Sequence, residues 1–111
     1  MTSKPPFEDR EKGYERDFAH TQELKFREHA LRNRLLAEWA AGRAGLTGDA
    51  AARYVSSIFQ EATLRADDSH LVKKIADDIN AAGAGATEAD VWENLRRFAA
   101  QAHKVIAEKS K

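Results

Sequence analysis

The longest helical pattern of apolar and polar positions in the chain runs from His20 to Gly42 and predicts a central helix. Its apolar residues form two neighbouring bands, which predicts two packing partners: Leu24, Leu31, Leu35 and Trp39 in a leucine band, and Phe26, Ala30, Leu36 and Ala40 in a second band. Acid-before-base pairs four residues apart favour ion pairs on an exposed face: Glu23 with Arg27, and Glu28 with Arg32.

Two further helices are predicted after the central one. Gly42 or Gly45 is expected to end the central helix, because glycine readily adopts the left-handed conformation that closes helices. Thr47 or Asp49 then caps a second helix that runs to about Arg65. A third helix follows a cap among Asp67, Asp68 and Ser69, carries Val72, Ile75, Ala76 and Ile79 at helical spacing, and is broken by Gly83 to Ala86.

A fourth helix is predicted to begin after Thr87. Thr87 and Asp90 have the spacing of a capping box, in which each side chain accepts a hydrogen bond from the other residue's backbone. The apolar positions that follow have the spacing of one buried helical face: Val91, Leu95, Phe98, Ala102 and Ile106, widened by Trp92. Together with Trp39, we expect Trp92, Leu95 and Phe98 to be largely buried.

The predicted fold is therefore all-α: a small four-helix bundle with a long first helix and an N-terminal charged arm. The 111 residues suffice for one domain with a modest core, and the aromatic share of 8% and the scarcity of β-branched runs leave little to form strands. We place the arm at residues 1–19 and expect it to be partly disordered or to become helical on binding, and we place the four-helix bundle domain at residues 20–111.

The arm carries few large apolar side chains among many charges. If the arm is helical, Phe7, Tyr14 and Phe18 lie within roughly 40° of one another and form an aromatic stripe. This stripe lies about 120° from Leu24, so it does not prolong the leucine band. Such a stripe is typical either of a solvated helix end or of a recognition helix with aromatic anchors, and the pattern alone does not choose between them.

Net charge and cysteine content exclude several function classes. Eighteen basic and eighteen acidic residues give a formal charge of +0, which disfavours a nucleic-acid partner. The chain has no cysteine, so disulfides, thiolate metal sites and thiol nucleophiles are excluded. No apolar run approaches the roughly 20 residues that span a bilayer, and no signal peptide follows Met1, so we expect a cytoplasmic protein without membrane insertion.

Candidate chemical groups do not assemble into a catalytic pattern. No two of His20, His29, His70 and His103 have the spacing of metal ligands on a helix. Gly83 and Gly85 lack the strand and the lysine of a phosphate-binding loop. Ser56 and Ser57 have no base nearby, and the carboxylate pairs read as caps and solvated faces: Asp67 with Asp68, and Asp77 with Asp78. We therefore expect no catalytic residue, metal or cofactor, and no enzyme.

The arginines of the central helix do not form a basic patch. Arg32, Arg34 and Arg43 are interleaved with Glu28 and Glu38, which predicts a neutralised face.

Several strings of residues resemble the zeta subunit of alphaproteobacterial F-type ATP synthases. They are FEDREKGYERDFAH at 7–20, RNRLL at 32–36, WAA at 39–41 and GLTG at 45–48. The similarity runs in order from Phe7 to about Tyr54. After Tyr54 it weakens, and what remains is the spacing of the apolar positions in the helices and the string D-x-x-x-V-x-K-I, at Asp68, Val72, Lys74 and Ile75. Three positions depart from what is usual in that family: Gly13 replaces alanine, Asp17 replaces lysine and Leu31 replaces arginine.

The resemblance implies an inhibitor of ATP hydrolysis that binds the catalytic head of the synthase and blocks rotation with its N-terminal segment. Its partners would be the catalytic head and the rotor subunits, and the protein would be a monomer when free, peripheral to the inner membrane through the synthase. The positions implied to contact the partners are Phe7, Asp9, Arg10, Glu11, Tyr14, Phe18, Ala19 and His20. The alternative hypothesis is a helical regulator that responds to a nucleotide or another small ligand, without catalytic activity.

Overall fold

The computed structural model describes the backbone of residues 6–65 and 67–109, and the side chains of these residues from Ala19 onward. Four helices account for nearly all of the described backbone: α1 (Pro6–Arg43), α2 (Gly48–Leu64), α3 (Asp68–Ala81) and α4 (Glu88–Lys109). No strand occurs within these ranges. The predicted all-α class and the four helices of the bundle are confirmed.

Helix α1 ends where its glycines predict. Gly45 has a φ of +77°, a left-handed conformation that other residues rarely adopt. Leu46 N–H donates to Ala41 O at 2.9 Å, and Gly45 N–H donates to Gly42 O at 3.1 Å. This pair of hydrogen bonds is a Schellman motif, which satisfies carbonyl groups that the last helical turn leaves unpaired.

The starts of the other helices also follow the predicted caps. Thr47 has extended backbone angles at the start of α2, although its side chain makes no capping hydrogen bond. Asp67 caps α3 by accepting a hydrogen bond from Ser69 N–H at 2.9 Å. At the start of α4, Asp90 N–H donates to Thr87 Oγ1 and Thr87 N–H donates to Asp90 Oδ2, both at 3.1 Å. The predicted capping box is therefore present.

The core lies between the second half of α1 and the other three helices. Its members are buried apolar side chains at helical spacing: Leu36, Ala37, Ala40, Ile58, Leu71, Val72, Ile75, Ala76, Ile79, Val91, Leu95 and Phe98. Leu95 and Phe98 are buried as predicted. Trp39 and Trp92 were expected to be largely buried but are half-buried, since each packs against the edge of this cluster.

The two bands predicted along α1 differ in burial. The leucine band is half-buried at all four of its positions: Leu24, Leu31, Leu35 and Trp39. In the second band Leu36 and Ala40 are fully buried, whereas Phe26 is 74% exposed. Phe26 is therefore not a core residue, because it lies beside an open groove between α1 and the turn that joins α2 to α3.

Helices α1 and α4 run antiparallel. Near one end of the pair Arg43 donates to Gly85 O at 3.2 Å, and near the other end His103 Nδ1 lies 2.9 Å from Glu28 Oε1. Helix α4 ends six residues after His103, at Lys109, so it reaches about residue 22 of α1. The first part of α1 thus extends roughly 24 Å past the end of α4, at about 1.5 Å per residue.

Candidate partner-binding surface

The predicted arm and the predicted central helix are one helix. α1 runs without interruption from Pro6 to Arg43, through the predicted boundary at residues 19 and 20. Ala19 and His20 are exposed. The other six implied contact residues, Phe7, Asp9, Arg10, Glu11, Tyr14 and Phe18, lie on the first part of α1, and their side chains are outside the described ones.

Helical periodicity relates the aromatic stripe to the buried face of α1. Eighteen residues make five turns of an α-helix, so positions 18 apart lie on the same face. Position 14 is therefore in line with Arg32, and position 18 is in line with Leu36. Arg32 is 7% exposed and Leu36 is fully buried. By this periodicity the stripe positions are in register with Arg32 and Leu36 on the face of α1 that enters the bundle.

A buried arginine links α1 to the start of α3. Arg32 donates from Nη2 to Asp68 Oδ1 at 2.9 Å and from Nη1 to Asp68 Oδ2 at 3.2 Å. Its Nε and Nη2 also donate to Asn33 Oδ1, at 3.0 and 2.9 Å. The bidentate geometry holds both side chains in one orientation and offsets the cost of burying the guanidinium. Asp68, predicted only as a capping residue, is thus part of a contact between helices.

The predicted ion pair between Glu28 and Arg32 does not form. Arg32 turns inward to Asp68, and Glu28 instead contacts His103 on α4. The i,i+4 spacing alone predicted the local pair, but a bidentate partner across the bundle competes better for the guanidinium. By contrast, Arg27 and Glu23 do form their pair, at 2.7 Å.

An open groove of about 450 Å³ lies beside this arginine. Phe26 and Phe59 form two of its walls, and Ala30, Ala62 and Leu71 line it with further apolar surface. His29, Asn33, Thr63, Arg65, Asp67 and Asp68 supply its polar lining. The groove forms because α2 ends and α3 begins here, which leaves this part of α1 uncovered.

Two cationic side chains lie in or next to the groove lining without an ion-pair partner. The exposed residues Lys25 and Arg65 make no ion pair with any side chain that the structure describes. The arginines of the predicted neutralised face are all engaged: Arg32 with Asp68, Arg34 with Glu38 at 2.9 Å, and Arg43 with Gly85 O and the Trp39 ring. The groove lining thus carries both signs of charge outside an ion pair, because the exposed Asp67 lies there together with Arg65.

The remaining polar clusters have structural roles. Tyr54 donates to Asp78 Oδ2 at 3.0 Å, and Lys74 contacts the same oxygen at 3.2 Å. Burial, followed by the negative charge of Asp78, raises the pKa of Tyr54 above its usual range, so the phenol stays protonated. Asp78 was predicted to lie on a solvated face but is half-buried in this link between α2 and α3. Ser57 donates to Tyr54 O at 2.7 Å within its own helix.

Among the described side chains, those of residues 19–65 and 67–109, no group of three or more from His, Cys, Asp or Glu is placed to hold a metal ion. No helix within the described residues combines the length and the apolar character needed to cross a bilayer. Among the described features, this groove and the part of α1 that extends past α4 are candidates for contact with another molecule.

Comparison with known protein families assigns this chain to a family. The family model described as ATPase inhibitor subunit zeta matches residues 1–105. No curated protein and no solved structure matches the chain. The match covers the arm, α1, α2, α3 and most of α4, and so extends well beyond Tyr54, where the resemblance in residue strings weakens. With nearly its whole length matched, the chain belongs to the ATPase inhibitor subunit zeta family.

Proposed function

We propose that this protein inhibits ATP hydrolysis by the F-type ATP synthase by binding the catalytic head with its bundle and inserting the arm between catalytic and rotor subunits. Membership of the inhibitor family supports the inhibitory role. The observation that carries the mechanism is the continuity of α1, which joins the arm to the core as one helix from Pro6 to Arg43. Family membership also favours this function over a regulator that responds to a nucleotide or another small ligand.

A continuous helix suits a steric block. The second half of α1 is fixed by the burial of Leu36, Ala37 and Ala40 and by the link between Arg32 and Asp68. A force on the arm is thus resisted by the packed core and not by a flexible joint. Because the arm extends past α4, it can enter a gap between subunits that is too narrow for the bundle.

The proposed anchors on the arm are Phe7, Tyr14 and Phe18, together with Ala19 and His20. Burying an aromatic side chain at an interface contributes about 1.5 to 3 kcal/mol, so three anchors can offset the entropy lost when the arm is held. The charged arm residues Asp9, Arg10 and Glu11 would pair with groups on the catalytic and rotor subunits. The protein would act as a monomer, at the inner membrane through its contact with the synthase.

The direct test measures ATP hydrolysis and ATP synthesis by the matching synthase with increasing amounts of the full chain. We expect hydrolysis to fall while synthesis is largely spared, because the wedged arm opposes only one sense of rotation. Equal loss of both activities would point to a block without direction. No effect on either activity would refute the inhibitory function itself.

A further inference from the structure

We propose that helix α2 opens from the bundle as a unit while α1, α3 and α4 stay packed together. Its burial differs from that of the other two short helices. Of the 17 residues of α2 one is buried, Ile58, whereas the 14 residues of α3 include five buried ones and the 22 residues of α4 include four. Because tertiary packing of apolar side chains supplies most of the stability of a helix in a protein, α2 is the helix held most weakly.

The surroundings of α2 leave it open on its flanks. It packs along α1 and touches α3, but within the described part of the chain it does not reach α4. A groove of about 650 Å³ opens between α1 and α2, and Ala41, Val55 and Phe59 are among the residues that line it. Phe59 also lines the groove of about 450 Å³ near the end of α2. The contact between α1 and α2 is thus bordered by open space from Ala51 to Arg65.

Polar contacts with α3 form a latch for α2. Tyr54 donates to Asp78 Oδ2 at 3.0 Å, and Lys74 contacts the same oxygen at 3.2 Å. About two turns further along α2, Glu61 Oε1 lies 3.5 Å from His70 Nε2. A hydrogen bond to a carboxylate contributes more than one between neutral groups, so the contact of Tyr54 is the main part of this latch.

The turn before α2 provides a hinge. Gly45 and Gly48 both have positive φ, +77° and +56°, and α2 begins at Gly48. The side chain of Thr47 makes no capping hydrogen bond there. At the other end, α2 passes into extended backbone at Arg65. A few residues at each end can therefore absorb the movement. Since a detached helix of this length is marginal in water, its amides exchange with solvent once α2 has opened.

Amide hydrogen exchange of the full-length chain, followed residue by residue by NMR, tests the opening. We expect amides in the middle of α2 to be protected about tenfold less, or weaker still, than amides in the middle of α4. Their exchange should also depend less on urea, because opening α2 exposes less surface than unfolding the whole chain. Equal protection and equal urea dependence in the two helices would refute the proposal.

Two matched glycine substitutions separate opening of α2 from unfolding of the bundle. Ala52 on α2 and Ala100 on α4 are both exposed and lie inside their helices. Ala100→Gly should lower the protection of α4 about fivefold and leave that of α2 unchanged, because α4 stays folded when α2 opens. Ala52→Gly should lower the protection of both helices about fivefold, because α2 is unfolded in either event. An equal loss in both helices from Ala100→Gly would show that the bundle opens only as a whole.

Tyr54→Phe tests the latch. It removes the hydroxyl group but keeps the ring that packs against the core. We expect the protection of α2 to fall about tenfold. Ser57→Ala, which removes a hydrogen bond within α2, is the control and should change protection by less than about twofold. Unchanged protection in Tyr54→Phe, or an equal loss in the control, would exclude this latch. None of these measurements involves the synthase, so their outcome is independent of the proposed function.

Discussion

The two halves of α1 have different surroundings although they belong to one helix. From Arg32 to Arg43 the helix buries Leu36, Ala37, Ala40 and Ala41 against the other helices. From Ala19 to Leu31 no side chain is buried, and Phe26 is largely exposed. The difference arises because the turn between α2 and α3 and the end of α4 lie beside the middle of α1.

This difference separates stability from binding along a single helix. The second half contributes to the core, so its side chains are needed for folding. Between Ala19 and Leu31 the side chains are exposed or half-buried, and we propose that this part of the helix serves contact with a partner. The continuity of the backbone then lets the packed half position the free half. Variants in the two halves should therefore affect different measurements.

The largest expected effect comes from removing the free end of the helix. A variant that lacks Met1 to Asp17 should lose inhibition of ATP hydrolysis, since the proposed aromatic anchors Phe7 and Tyr14 are absent. It should keep its helical circular dichroism per residue and a cooperative melt, because the core cluster begins at Leu36. Inhibition at an unchanged concentration would locate the block in the bundle, and failure to fold would make Phe7 and Tyr14 structural.

In the packed half, Leu36→Ala should destabilise the protein by about 2 to 5 kcal/mol, as expected for a fully buried leucine. Leu95→Ala on α4 should cost a similar amount, about 2 to 5 kcal/mol. Leu24→Ala, in the first half of α1, should cost less because Leu24 is half-buried. Urea denaturation measures all three, and equal costs for Leu24 and Leu36 would remove the distinction between the two halves.

The link at the boundary between the halves is tested by Asp68→Ala. This change leaves the buried Arg32 guanidinium without its carboxylate and should cost about 1 to 3 kcal/mol of unfolding free energy. Replacing Arg32 by methionine in the same variant should recover part of that loss, because the uncompensated buried charge is gone. A double variant less stable than Asp68→Ala would contradict this role of the pair.

Single substitutions in the free half should affect inhibition and not the melt. Tyr14→Ala and Phe18→Ala are each expected to weaken inhibition by about 1 to 3 kcal/mol, as truncated aromatic anchors usually do. Lys4→Ala, outside the aromatic stripe, is the matched control and should change little. The measurement is the inhibition constant in ATP hydrolysis, with melts run in parallel. A lowered melting temperature in Tyr14→Ala would show that Tyr14 contributes to folding.

The smallest expected effect lies at the start of α4, far from the arm. Thr87→Ala should destabilise the protein by about 1 kcal/mol, the usual cost of losing an N-cap hydroxyl.

The partner of Thr87 in this capping box gives a pH-dependent effect. Hydrogen bonds from Thr87 lower the pKa of Asp90. The ionised Asp90 therefore stabilises the fold at pH values above the ordinary carboxyl pKa, and this stabilisation is lost as the pH falls through the lowered pKa. The stability advantage over Asp90→Asn should therefore shrink below about pH 4. An advantage that does not change with pH would contradict the capping role of the carboxylate.

Local chemistry in the sequence was enough to predict four helices and most of their ends, but not the start of α1 at Pro6. The glycine at 45, the aspartate at 67 and the pair Thr87 and Asp90 each act on backbone groups a few residues away. Their effect therefore does not depend on the rest of the fold. The same holds for the core face of α4, because Leu95 and Phe98 follow the helical period directly.

What the sequence by itself determined is thus the set of four helices, their caps and the family to which the chain belongs. The tertiary structure alone decided which face of α1 is buried, that Arg32 pairs with Asp68 and Glu28 with His103, and that Phe26 borders a groove. These partners are 36 and 75 residues apart, beyond the reach of any i,i+4 rule. They meet because α3 and α4 pack beside the middle of α1, and the burial of a side chain depends on such neighbours as well as on its own residue type.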